Sequence, residues 1–308
     1  MKKVFLFILI SFCSIYICWF LISLYYMIFV NDNKSELKEN DYRLFKETPA
    51  WDLAKAVKNA DEKKIKELTN HQPALINYQE PKYGNTLLML TVMNQQFKPF
   101  VILLNNHADV DIHNTFDGSS AIIEAVKYQW FDIKFVKTLV SYGANVNDVS
   151  TRGNENHSSI SALMSAVSSG KKEFVEYLVD KGADVNYRNS DNCFTALTEA
   201  MMTDKYEIGY YLLLRGADYI RPLFYRPDYS IPMELQDSNN KGEPIYLANF
   251  LRENFFELYT KEYKYKMLIV TFLQHNGVNY WETPVPDYIK EKIQKIHPNN
   301  WQDILEKY

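Results

Sequence analysis

The runs Gly143-Ala144-Asn145-Val146-Asn147 and Gly182-Ala183-Asp184-Val185-Asn186, with the shorter Gly216-Ala217-Asp218, close successive copies of a unit of about 34 residues. A fixed period of this length marks stacked repeats and not a single globular core. Working back from these endings, each copy starts on a Thr or Ser: Thr86, Ser120, Ser161 and Thr195. Two positions later comes an aliphatic residue (Leu88, Ile122, Leu163, Leu197), and five positions later a small one (Thr91, Ala125, Ala166, Ala200). Seventeen positions on comes Leu103, Leu178 or Leu212, with Leu139 arriving two residues late in its unit. These offsets predict a first helix of about two turns and an amphipathic second helix. The Thr or Ser is suited to cap the first helix. The closing Gly, replaced by His107 in one copy, suits the left-handed conformation that ends the second. A degenerate copy precedes these, with Trp51, Leu53, Ala56 and Leu68 at the same offsets and a Lys/Glu-rich second helix around Asp61 to Asn70. That polarity fits an end repeat facing solvent. A late copy fits with Glu243-Pro244-Ile245 as its opening, Ala248 in the small position, and Leu273 and Gly277 closing it.

The pattern resembles the ankyrin repeat over roughly residues 50 to 280. The Thr-Pro-Leu-His opening of that family is reduced here to Thr86-Leu87-Leu88, Ser161-Ala162-Leu163 and Thr195-Ala196-Leu197, a change that leaves the packing face untouched. The expected fold is all-α: an ankyrin-repeat solenoid of five to six helix-turn-helix units, preceded by one transmembrane helix. With that anchor, the chain resembles membrane-anchored bacterial ankyrin-repeat proteins.

The anchor is read from Val4 to Val30, 27 residues without charge, Pro or Gly, of which 17 are Leu, Ile, Phe or Val. As a helix it would span about 40 Å, against a hydrocarbon core of roughly 30 Å. Lys2 and Lys3 precede it and charges of both signs follow, which places the N-terminus in the cytoplasm and the repeats on the exocytoplasmic side. A cleaved signal peptide needs a shorter apolar core and a small-x-small site. A lipoprotein needs a small residue before Cys13 or Cys18, where Phe12 and Ile17 stand instead. A buried core helix has no counterpart in the repeats. The domain plan is residues 1–30 as signal anchor, 31–48 as polar stalk, 49–282 as repeat stack, and 283–308 as helical cap. Within the stack, 219–242 is an insertion holding Pro222, Pro227 and Pro232, which exclude a regular helix. A shorter extended tip runs from Val149 to Ser159. In the cap, Ile289, Ile293 and Ile296 form a one-sided stripe, and Asn300 caps a last short helix.

Chemistry is sparse in the sequence. The formal charge of −4 supplies no basic field for a nucleic-acid partner. None of the six histidines stands in a His-Glu-x-x-His pair, and no phosphate-cradling loop or nucleophile elbow occurs. No cofactor, metal or small-molecule substrate is expected, and the chain reads as no enzyme. Asp109-Val110-Asp111-Ile112-His113 has metal-ligand residue types but falls at the Gly-Ala-Asp-Val-Asn position, where Asp and Asn serve the turn. Cys193 with His157 suggests a nucleophile pair only weakly, since a lone Cys is usually structural.

The resemblance implies protein recognition by the tips and by the open side of the first helices. In this sequence those positions bring forward Tyr83, Asn85, Phe116, Asp117, Tyr128, Trp130, His157, Asn192, Phe194 and Met202. Large aromatics at places expected to be wet are the residue types that anchor interfaces. The expected partner is a protein, bound without catalysis, with membrane association through residues 4–30. An alternative is an immunity protein that sequesters a toxin or enzyme outside the cytoplasm. A third is an enzyme with its chemistry in the 219–242 insertion.

Overall fold

The computed structural model describes residues 37–151, 159–190, 193–226 and 242–308. The apolar segment 4–30 lies outside the described residues, as do His157, Asn192 and most of the 219–242 insertion. Among the described residues no helix is long and apolar enough to cross a membrane.

Six helical pairs follow one another among the described residues: α1 (Trp51–Lys58) with α2 (Glu62–His71), α3 (Leu87–Met93) with α4 (Phe97–Asn105), α5 (Ala121–Val126) with α6 (Ile133–Ser141), α7 (Ala162–Ser169) with α8 (Lys172–Asp180), α9 (Ala196–Met202) with α10 (Tyr206–Leu214), and α11 (Leu247–Glu253) with α12 (Lys261–His275). The first helices α1, α3, α5, α7 and α9 pack side by side in that order. The four spaced leucines Leu103, Leu139, Leu178 and Leu212 are all fully buried in one elongated core. Thr86, Ser161 and Thr195 accept a hydrogen bond at the start of their helices, satisfying one of the orphan N–H groups there. Replacing Thr195 by Ala is expected to cost about 1 kcal/mol in chemical denaturation. Ser120 departs from this role: its hydroxyl donates to Asp148 of the next tip.

The Asp/Asn endings have a second use beyond the turn. Asp109, Asn145, Asp184 and Asp218 each accept from the backbone N–H two residues on. Asn77, Asp111, Asn147 and Asn186 each reach forward and accept from a backbone N–H of the next unit, at 2.9, 3.4, 2.7 and 2.8 Å. The repeated Asx pairs therefore form a ladder that joins neighbouring units.

Three expectations are corrected. The described residues are mostly helical, as an all-α solenoid requires, with a short two-strand ribbon at the insertion: β1 (Phe224–Arg226) and β2 (Glu243–Ile245) pair antiparallel, with Tyr225 opposite Pro244. The prolines around this crossing forbid helix, and the backbone finds its partners across the pair instead. In consequence Glu243-Pro244-Ile245 is a strand. The late unit starts at Tyr246, three residues later, with Leu251 fully buried at the fifth position after it. The 31–48 segment is not a stalk throughout: Tyr42–Phe45 forms a 3₁₀ turn with Tyr42, Leu44 and Phe45 buried against the stack. Finally, Ile296 is 47% exposed, so the stripe of α13 (Asp287–Ile296) reduces to Ile289 and Ile293. These close a small second core with Ile304 of α14 (Trp301–Lys307) and Tyr308. Asn300 stands at the cap position of α14 without a capping bond.

The last pair docks on the stack chiefly through α12 against α10. On the first-helix side the gap is bridged by aromatic edges, with Phe224 of β1 6.0 Å from Phe194 and 6.2 Å from Phe250. Between α11, α12 and the C-terminal residues lies a buried polar group. Lys266 is fully buried, its Nζ donating to the carbonyl of Asn254 and standing 3.5 Å from the centre of the Tyr308 ring. Arg252 stacks 3.9 Å from the Tyr280 ring centre and donates to the Tyr280 carbonyl.

Candidate protein-binding surface

Three of the tips, among the described residues, are each organised by a buried polar side chain that accepts from backbone N–H groups. Glu80 accepts from Lys82, Tyr83 and Asn85. Asn114 accepts from Phe116, Asp117 and Gly118, and Asn189 accepts from Phe194. Each stands six residues before the Thr or Ser that opens its unit. That spacing was visible in the sequence and went unread. These anchors fix where the tip aromatics point.

Tyr83 is half-buried, its ring 5.4 Å from Phe116 in an edge-to-face contact. Its hydroxyl donates to the carbonyl of Leu37. Residues 37–40 thus lie across the inner face of the first units. The carbonyl of Glu39 accepts from Asn85, the Asn40 side chain donates to Asn94 Oδ1, and Asn94 Nδ2 donates to the Asn40 backbone carbonyl. This strap corrects the reading of Asn85 as wet: Asn85 is fully buried beneath it. Its Oδ1 has no hydrogen-bond partner among the described residues.

Between α5 and α6 the chain takes a longer turn than in the other units, accommodating the two-residue expansion. It carries Tyr128 and Trp130, stacked at 4.7 Å with 22° between their planes. Phe131 is buried beneath and meets the edge of Tyr128 at 5.2 Å. Trp130 is 69% exposed and Tyr128 39%, so the pair presents apolar surface to water on a pinned base.

Behind this pair sits an ion cluster. Lys127 Nζ bridges Asp117 Oδ2 and Glu124 Oε1, at 3.0 Å each. Burial pushes the Glu124 carboxyl above its usual range, and Lys127 only partly offsets this. Burial also works against the charge of Lys127, yet Glu124 and Asp117 hold its pKa above the ordinary lysine value. Asp117 is likewise penalised by burial but is held below the carboxylate range by Lys127 and by hydrogen bonds from the tip.

The structure brings together only part of the expected site. Tyr83, Tyr128 and Trp130 line a cleft of about 640 Å³, with Met93, Glu124, Phe131 and the strap completing it. Phe194 lines a separate cleft of about 380 Å³ with Ile160, Met164 and Glu199. It is half-buried against Phe224, not free in solvent. Phe116 packs on Tyr83, and Met202, 49% exposed, borders neither cleft. His157 and Asn192 lie outside the described residues. Sequence reasoning missed Glu124 and the strap residues.

Among the described residues no group of three His, Cys, Asp or Glu could hold a metal. The Asp109–His113 run is absorbed by the fold: Asp109 and Asp111 serve the ladder, and His113 meets Asp148 at 3.1 Å.

No curated protein matches this sequence. A family model for ankyrin repeats, in three copies, matches residues 53–150 and 149–222. These stretches take in more than half of the chain and coincide with the stacked pairs α1 to α10 and their Asx ladder. The chain therefore belongs to the ankyrin-repeat family.

Proposed function

We propose that this chain is a membrane-anchored binding protein that holds a protein partner on the inner face of its stack, without catalysis. Ankyrin repeats are in general protein-interaction modules, and the proposal places the contact at the cleft beside Tyr128 and Trp130. The observation that carries this is the stacked pair itself: two large rings, exposed by 39% and 69% and seated on buried Phe131. A preformed aromatic platform loses little entropy on docking, and aromatics of this kind dominate interface energetics. Anchoring through residues 4–30, with the repeats exocytoplasmic, belongs to the same proposal and rests on the apolar sequence alone.

The test is affinity capture from detergent-solubilised membranes, identification of the partner by mass spectrometry, and calorimetric titration of variants. Tyr128→Ala and Trp130→Ala are each expected to weaken binding by more than ~1 kcal/mol without lowering the thermal midpoint. Unchanged affinity in both variants would remove the cleft from the interface.

A further inference from the structure

We propose that the cleft between Tyr83, Tyr128 and Trp130 receives an arginine side chain of the protein partner, its guanidinium stacked on the Tyr128–Trp130 platform and its charge met by Glu39. The inference rests on the reading of this face as the binding surface and specifies the chemistry of what enters it.

Three features of the cleft converge on a planar cation. Its volume, about 640 Å³, is ample for a side chain and its flanking backbone, within the range of roughly 300–1,000 Å³ seen for ligand clefts. Tyr128 and Trp130, which line it, are stacked ring on ring, 22° apart, and Trp130 is 69% exposed. Such a face attracts cations, and guanidinium best of all because it is flat and weakly hydrated. The lining of the cleft includes one partly exposed acid, Glu39 of the strap.

The charge balance has a sign. Lys127 ties Asp117 and Glu124 to each other, and with Glu124 fully buried and its carboxyl pushed up that cluster is satisfied within the fold. The Glu39 carboxylate, half-buried on the strap, meets no cation among the described residues. It also repels Glu124, helping to push that carboxyl up. Lys38 borders the same cleft but is exposed, where solvent and salt screen it. A cation beside Glu39 would relieve the repulsion, and two parallel N–H donors match a carboxylate better than an ammonium does.

The experiment uses the full chain in detergent micelles with its five tryptophans replaced by 5-fluorotryptophan. The ¹⁹F signal of Trp130 is assigned by its loss in Trp130→Phe. N-acetyl-arginine methylamide is expected to shift that signal saturably and leave the other four in place. The neutral isostere N-acetyl-citrulline methylamide should not. Glu39→Gln should weaken the arginine probe about tenfold, the effect of one lost charge contact. A Trp130 signal that never saturates with the arginine probe, or that moves equally with the citrulline probe, overturns the proposal. That holds even where Trp130→Ala still weakens the captured partner, in which case the binding surface stands and only its arginine specificity falls.

Discussion

Replacing Lys266 by Met should stabilise the protein by about 3 kcal/mol at pH 7, and the gain should shrink as pH rises. Burial, with Arg252 adding repulsion, lowers the Lys266 pKa from 10.5 to about 6. Above pH 10.5 the amine is neutral in both folded and unfolded chains, and its burial costs no proton. Between about pH 10.5 and pH 6 only the unfolded chain holds the proton, so stability falls by ~1.4 kcal/mol for each unit of decreasing pH. Below about pH 6 both states are protonated and the cost is at its full value. At pH 7 most of that cost is already present. Met removes it but forfeits the bond to Asn254, worth ~1 kcal/mol. For the charged form, the face of Tyr308 recovers part of the loss. Chemical denaturation of both proteins between pH 6 and 9 checks this. A Met variant that is less stable throughout, or a difference that does not change with pH, would refute the assignment of a neutral buried amine.

The second large effect is expected at Gly118. Its φ is +73°, and a Cβ built there would lie 1.9 Å from the backbone oxygen of Thr151. The tip cannot move aside freely, because the N–H of Thr151 donates to the Gly118 carbonyl at 3.0 Å. Gly118→Ala combines a left-handed penalty of ~1–2 kcal/mol with overpacking of ~1–3 kcal/mol, a total of roughly 2–5 kcal/mol. Gly143→Ala is the control. Its φ is +94° but nothing lies within 4 Å of the added carbon, so only the backbone penalty of ~1–2 kcal/mol applies. Denaturation midpoints should separate the two variants clearly. Equal losses would mean that the close contact between successive tips carries no energy.

The stack was legible because its signal is local. Leu103, Leu178 and Leu212, at one shared offset from their Thr or Ser, and Leu139, two residues later in its unit, are all fully buried. The same frame slipped by three residues at the late unit. There Tyr246 takes the cap position without a capping bond, and Pro244 draws the preceding residues into a strand. The strap was illegible for the opposite reason. Tyr42, Leu44 and Phe45 are separated by Arg43 and flanked by charges in a short stretch. Their burial depends on partners far along the chain, such as Gln96, which accepts from the Tyr42 hydroxyl at 2.5 Å. Asn85 was misjudged along with it, since what covers it comes from 46 residues earlier. Tyr128 and Trp130 could be singled out because bulky rings at turn positions stand out from the period. Glu124 could not, because a lone acid within a short apolar helix gives no hint that Lys127 and Asp117 enclose it.

The Asx ladder sets how the molecule takes strain. Its rungs join only adjacent units, at 2.7 to 2.9 Å where the acceptor is Asn77, Asn147 or Asn186 and at 3.4 Å where it is Asp111, so the Asp111 junction is the loosest of the four. A bending load should therefore be taken up first at that rung, with smaller changes at the other three. The curvature of the inner face can then open or tighten elastically, in the manner of a leaf spring, while each helix keeps its shape.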